Sequence, residues 1–301
     1  MNVAKTFLLA LALAIPAAAQ TPPAPHVRYA LIVSIDGLRP DVLLRADAPT
    51  LRGLMQRGIF SMWARTTDVA ITLPSHTSML TGEPPERHGV TWNGSTPPPF
   101  KSGPQVPTLF TLAHRQGLTT ALVAGKKKFR ALRDPVAVDW SFVPDDETQD
   151  AAVADSAVEI IRRHSPNVLF VHLAGVDMTG HAYGWGSETQ VRAVTLADRS
   201  IERVLKALRE RGTLDSTVIV VSADHGGSGT SHGAGDERSR YIPWIAVGPG
   251  LPANVDLDQD ATVHIRTEDT FATVCSMLGI PVPAGIAGRP VKVPEHISGG
   301  P

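Results

Sequence analysis

Three Asp and three His residues stand immediately after apolar runs or in the stretches that follow them, which their glycines mark as loops. Asp36 follows ALIVSI, Asp177 and His181 follow NVLFVHL within AGVDMTGHAYG, Asp224 and His225 follow TVIVVSA, and His232 lies in TSHGAGD. Carboxylates and imidazoles in this mixture are ligands for hard-to-borderline divalent ions, and the imidazoles favour zinc. Six donors exceed the four of a tetrahedral zinc, whereas two ions with three protein ligands each keep open positions for a substrate oxygen and a nucleophile. Thr72, in DVAITLPSHTSMLTG, is the candidate nucleophile. It precedes a Leu-Pro turn and an expected helix whose N-terminal N–H groups would favour an anion. A Thr hydroxyl is weakly nucleophilic until a metal or base lowers its pKa, so Thr72 acquires this meaning only beside the metal ligands.

Those residues need a scaffold that brings separate strand ends together. The continuous apolar runs 30–35, 119–124, 167–173, 217–222 and 242–247 read as buried strands, and 59–64 as a half-buried one. Between them the pattern predicts helices at 49–56, 72–82, 107–116, 148–164 and 267–278, and a long helix presenting Val191, Val194, Ile201, Val204, Leu205 and Leu208 on one face. The Pro-rich segment 93–107 is a surface loop. Strands alternating with helices specify an α/β fold, a three-layer α/β/α sandwich with a central, mostly parallel sheet. Ligand sites in such sheets form outside the carboxyl ends of the strands, where Asp36, Asp177 with His181, and Asp224 with His225 would converge.

The 301 residues are 43% hydrophobic and 19% charged, which excludes disordered, collagen-like and coiled-coil chains. With 28 Lys plus Arg against 29 Asp plus Glu there is no basic field to hold a polymeric nucleic acid. Residues 1–19 read as a secretory signal peptide: Lys5, an apolar stretch from Phe7 to Ile15, and a small-residue cleavage site ending at Ala19. That stretch is too short to cross about 30 Å of hydrocarbon, so no stable membrane anchor is expected and the protein is exported, periplasmic or secreted. Residues 20–28 are then a linker and 29–301 a single catalytic domain. The lone Cys275 lies in an apolar run and reads as a buried small hydrophobe.

On the motifs SIDGLRPD around Asp36, TLPSHTSMLTG around Thr72, HGVTWN ending at Asn93, GVDMTGHAYG, SADHGG and SHGAGD, the chain resembles the alkaline phosphatase superfamily, and within it the type I phosphodiesterase and nucleotide pyrophosphatase branch. The resemblance implies an alkaline phosphatase-like fold and two zinc ions, with manganese or another divalent ion as an alternative. Asp177, His181 and His232 would hold one ion, and Asp36, Asp224 and His225 the other, with the Thr72 oxygen as a further ligand. It implies in-line attack of Thr72 on phosphorus, a phosphothreonine intermediate, and a phosphoryl oxygen held by the Asn93 amide. Ser75 stands where the eukaryotic nucleotide enzymes carry Asn, so a nucleotide substrate is not implied by that position. No Cys-x-Pro-x-Arg motif is present, which disfavours a sulfatase.

The expected function is hydrolysis of small phosphodiesters. A phosphomonoesterase is the alternative if Lys126 and Lys128, in VAGKKKFRAL, contact the phosphate, since a dianion gains from nearby ammonium groups. The opposing reading of that segment is a solvated basic loop. Phosphonate hydrolysis and a zinc-stabilised binding protein without catalysis are further alternatives. Trp92, Tyr183 and Trp185 adjoin the motifs and read either as walls of a leaving-group pocket or as packing. Trp63, Trp140 and Trp244 read as packing. His172 reads as a core residue or as one supporting a ligand, and His76 and His88 have no ligand role.

Overall fold

The computed structural model describes residues 27–99 and 101–298, so the expected signal peptide and all but the end of the linker lie outside the described residues. Eight strands form one sheet: β1 (Tyr29–Ile35), β2 (Ile59–Arg65), β3 (Thr120–Ala124), β4 (Trp140–Phe142), β5 (Val168–Leu173), β6 (Thr217–Ser222), β7 (Tyr241–Val247) and β8 (Val255–Asp256), in the order β4-β3-β5-β1-β6-β7-β2-β8. β1 lies inside the sheet and pairs in parallel with β5 and β6, Ile35 opposite Leu173 and Ser34 opposite Ser222. This register brings the ends of three strands to one edge. All of β1, β3, β5 and β6 is buried apart from Tyr29, as expected of strands covered on both faces.

The helices are α1 (Pro40–Arg45), α2 (Pro49–Arg57), α3 (Thr72–Thr81), α4 (Pro85–His88), α5 (Leu109–Arg115), α6 (Asp150–His164), α7 (Gly175–Tyr183), α8 (Glu188–Glu210), α9 (Asp269–Leu278) and α10 (Glu295–Ser298). α1, α2, α6 and α7 pack with α8 on one side of the sheet, and α3, α5 and α9 pack on the other. The three-layer α/β/α sandwich is the expected architecture. The apolar face of α8 explains its length: Val194, Ala197, Ile201, Val204 and Leu205 are buried, and the opposite face carries the charges.

Four features depart from the sequence expectations. β7 runs antiparallel to β6 and β2, because the segment between β6 and β7 carries no crossover helix and so cannot return the chain for parallel pairing. The stretch GVDMTGHAYG, read as a loop because of its glycines, is helix α7. The edge strands β4 and β8, of three and two residues, are too short to leave a periodic signal. Trp63 is 65% exposed and meets Tyr241 edge to face, so it is not a core residue. Trp244 is fully buried with its indole N–H on Thr270, and Trp140 stacks on His164. Cys275 is buried on α9, where burial pushes its thiol up to about 12, the inert state expected of it.

Candidate active site

β1 delivers Asp36 to the sheet edge, where its N–H bonds the carbonyl of Leu173 at the end of β5. The chain then turns at Gly37, whose φ of +72° favours glycine and whose absent Cβ would lie 2.9 Å from the Cα of Asp177. The Gly37 N–H donates to Asp224 Oδ1 at 3.1 Å, so one turn ties the tip of β1 to the end of β6. After β5, helix α7 places Asp177 and His181 four residues apart on one face. The carboxylate of Asp150 caps its start by accepting the Gly175 N–H at 2.9 Å. A close pair of hydrogen bonds between Ser228 and Ser231 folds the Gly-rich loop back and brings His232 onto His225.

The three imidazoles are oriented alike. His225 Nδ1 lies 2.8 Å from the Gly226 carbonyl, His232 Nδ1 2.9 Å from that of Ala70, and His181 Nδ1 2.9 Å from that of Thr230. A carbonyl only accepts, so each Nδ1 carries a proton, and in the neutral form of the ring Nε2 presents a lone pair. Those Nε2 atoms face carboxylate oxygens. His225 Nε2 is 3.4 Å from Asp36 Oδ1 and 3.2 Å from Asp224 Oδ2, while His181 Nε2 and His232 Nε2 are 3.4 and 3.8 Å from Asp177 Oδ1. Asp36 Oδ1, Asp177 Oδ1 and Asp224 Oδ2 are buried without a hydrogen bond among the described residues.

Lone pairs facing lone pairs in a buried space repel unless a cation lies among them, and this donor set therefore fits a divalent metal. Two groups of donors come within reach of one ion each: Asp177, His181 and His232, and Asp36, Asp177 and His225. Asp224 adjoins the second through His225. The protonation states of His225, His232 and Asp36 agree with a ligand set, and that of Asp224 needs a nearby cation to become the carboxylate. Burial and the neighbouring His232 hold His225 down to about 4, burial also lowers His232, and both rings are neutral at ordinary pH. Burial opposes the charge on Asp36, but the Lys126 ammonium and a hydrogen bond from His172 outweigh it and hold Asp36 well below the usual carboxylate range. Burial, with the charges of Asp36 and Asp177, pushes Asp224 well above it.

Thr72 opens α3, buried, with its Oγ1 3.4 Å from His225 Nε2. The helix end offers fewer N–H groups than expected: that of Leu73 donates to Asn93 Oδ1 at 2.9 Å, and Pro74 has none. Lys128 also donates to Asn93 Oδ1, at 3.2 Å. With its oxygen doubly engaged, Asn93 has its Nδ2–H groups to offer as donors. Thr72, Asn93, Lys126, Lys128, His181 and His232 line one cavity of about 280 Å³. Lys126 is buried and ion-paired with Asp36 and Asp177, whereas Lys128 is half-buried on the cavity wall.

Several further residues support or border the cluster, and His76 among them had no role assigned from sequence. His76, one turn after Thr72, reaches the Thr72 carbonyl and Asp224 Oδ2 with Nδ1, at 2.8 and 3.3 Å, and Ser34 Oγ with Nε2 at 2.7 Å. Its i, i+4 relation to Thr72 was the available signal. His172, expected as a core or supporting residue, donates from Nε2 to Asp36 Oδ2 at 2.8 Å while its Nδ1 accepts the Gly125 N–H. Trp185 is packing rather than open wall: it is buried, bonded to the Gly37 carbonyl and laid against Gly180 and Gly227. Tyr183 is exposed, and Trp92 is half-buried beneath Lys101. Glu147 and Met178 complete the cavity.

The chain is 25% identical to GPI ethanolamine phosphate transferase 1 of Gibberella zeae over 90% of its length and 32% of that protein's. It is 25% identical to ectonucleotide pyrophosphatase/phosphodiesterase family member 7 of Mus musculus over 73% of its length and 54% of that protein's. The chain thus spans about a third to a half of these relatives. In fold it matches murine ectonucleotide pyrophosphatase / phosphodiesterase 5 with a TM-score of 0.73 at 14% identity, covering 85% of this chain and 96% of that one. A 2-O GAG sulfatase follows with a TM-score of 0.69 at 17% identity, covering 89% of this chain and 73% of that one. The model of type I phosphodiesterases / nucleotide pyrophosphatases matches residues 30–247, a span that runs from β1 to the end of β7 and contains every residue of the cluster described above, and the chain belongs to that family.

Proposed function

We propose that this chain hydrolyses small phosphoric esters with divalent metal ions, zinc foremost, and with Thr72 as nucleophile. The observation that carries the reading is the convergence of bare carboxylate oxygens and imidazole Nε2 atoms beside Thr72 Oγ1. Asp177, His181 and His232 would hold one ion, and Asp36, Asp224 and His225 the other. Ions bound there supply Lewis-acid stabilisation of negative charge on the entering and departing oxygens. The Thr72 hydroxyl gives up its proton as its oxygen bonds to phosphorus, the bond from phosphorus to the departing oxygen breaks, and the departing alcohol takes up a proton in turn. Water then hydrolyses the phosphothreonine and restores Thr72. Asn93 donates its amide N–H to a phosphoryl oxygen, its orientation set by Leu73 and Lys128. Residues 1–19 support export as the setting of this reaction.

Family membership supports a diester as substrate. One observation favours the monoester reading: Lys128 lies on the cavity wall with two of its three ammonium protons uncommitted to Asn93, well suited to a dianion. The kcat/KM ratio of the zinc-loaded protein for p-nitrophenyl phosphate and its bis-ester decides, because both release the same phenolate. A diester preference is expected from the family, and a strong monoester preference would establish the second reading. Absence of turnover on either would overturn the proposal.

A further inference from the structure

We infer that Lys126 is a resident counter-cation of the metal centre, one that pairs with the outer oxygens of Asp36 and Asp177 and carries part of the ions' charge when none is bound. The inference rests on the ligand assignment proposed above. It starts from an asymmetry within two carboxylates. Asp36 Oδ2 takes the Lys126 ammonium at 2.8 Å and the His172 Nε2–H at 2.8 Å, whereas Asp36 Oδ1 has no hydrogen bond among the described residues. Asp177 repeats the pattern: its Oδ2 pairs with the same ammonium and its Oδ1 has no hydrogen bond among the described residues. One cation therefore saturates the outer oxygen of each acid and turns the inner oxygen toward the imidazoles.

The backbone delivers this ammonium deliberately. β3 ends at Ala124, the Gly125 N–H is held by His172 Nδ1, and Lys126 continues in extended conformation before the turn of 3₁₀ helix at Lys127–Leu132. His172 thus fixes both the acid and the segment that carries the cation. Lys126 is 3% exposed, and a buried ammonium in contact with two acids has little freedom to serve as a mobile substrate clamp. A dication a few ångströms away is repelled by it, yet without that dication it is the ammonium that keeps the acids compensated.

Removing the charge should therefore act oppositely on the two states. Zinc-loaded wild type, Lys126→Met and Lys126→Arg would be titrated with a chelator while released zinc and melting temperature are followed. Lys126→Met should release zinc at free concentrations on the order of tenfold lower than wild type, because the repulsion is gone. Once stripped, it should melt roughly 5 °C or more below stripped wild type, while the loaded proteins melt together. Lys126→Arg should return both values toward wild type. Recovery of Lys126→Met only in its zinc-loaded form would be the same result at its extreme. Equal zinc release and equal stripped melting temperatures for Lys126→Met and wild type would overturn the inference, as would weaker zinc binding or failure of the variant to fold even with zinc. Absence of zinc binding by wild type would instead overturn the ligand assignment, and the metal-free melting comparison would still decide the role of Lys126.

Discussion

The rings of His225 and His232 lie face to face, their centroids 3.6 Å apart and their planes 11° from parallel, each with Nδ1 on a backbone carbonyl. Two stacked imidazoles at this distance are stable as neutral rings and unfavourable as a pair of cations, so the contact itself selects the metal-binding form. It also joins the two donor groups, since His232 belongs with Asp177 and His181 while His225 belongs with Asp36.

Removing one member of a group should empty that group. Asp177→Ala and His232→Ala are each expected to lower bound zinc, measured by elemental analysis, and to reduce kcat/KM by about 100-fold or more. Full zinc content in either variant would remove the ligand assignment.

How much of this was legible beforehand varies with the kind of signal. Asp36, Asp224 and His225 were legible because a buried parallel strand announces itself by its apolar run and its tip by the first polar residue. α7 was misread because Gly175, Gly180 and Gly184 resemble loop punctuation, while Gly180 is there to let the Trp185 ring approach within 2.8 Å of where a Cβ would stand. Trp185, Asp150 and the engagement of Lys126 by Asp36 and Asp177 arise from contacts between segments far apart in the chain, and no local pattern encodes them. The reversal of β7 depends on the lack of a crossover helix in a segment whose loop signals look the same in either direction.

Gly37→Ala tests the tie between β1 and the ligands. The substitution strains a φ of +72° and drives a Cβ against Asp177, so it should lower the melting temperature and weaken zinc binding together. A thermal melt and a zinc titration of the same preparation read both effects.

Asn93 and Lys128 should behave as one unit toward phosphate. Asn93→Ala is expected to reduce kcat/KM by about 100-fold through loss of a preorganised donor. Lys128→Met should reduce it less on a diester than on a monoester, and the double variant should lose less than the product of the two, because Lys128 acts partly through the Asn93 oxygen. Kinetics of the four proteins on both p-nitrophenyl esters measure the coupling.

His88 adds a pH dependence separate from the metal. Its Nδ1 accepts the Val90 N–H at 3.1 Å and its Nε2 meets Ser78 Oγ at 3.0 Å, and burial lowers its pKa to about 4. The unfolded chain takes up this proton from about pH 6.5 downward while the fold resists until about pH 4, so stability is full above pH 6.5 and falls through that window by roughly 3 kcal/mol. His88→Gln should flatten that part of the curve in denaturant melts at pH 7 and pH 5.

The most direct test of the central claim is Thr72→Ala, assayed for bound zinc and for hydrolysis of the better p-nitrophenyl ester in the same sample. Because Thr72 opens α3 and holds none of the imidazoles through its side chain except by its 3.4 Å approach to His225, the variant should keep its zinc. It should lose about 1000-fold or more in kcat/KM and give no phosphothreonine at position 72 by mass spectrometry of acid-quenched turnover, where wild type does. Hydrolysis at a rate near wild type by zinc-loaded Thr72→Ala would contradict the account.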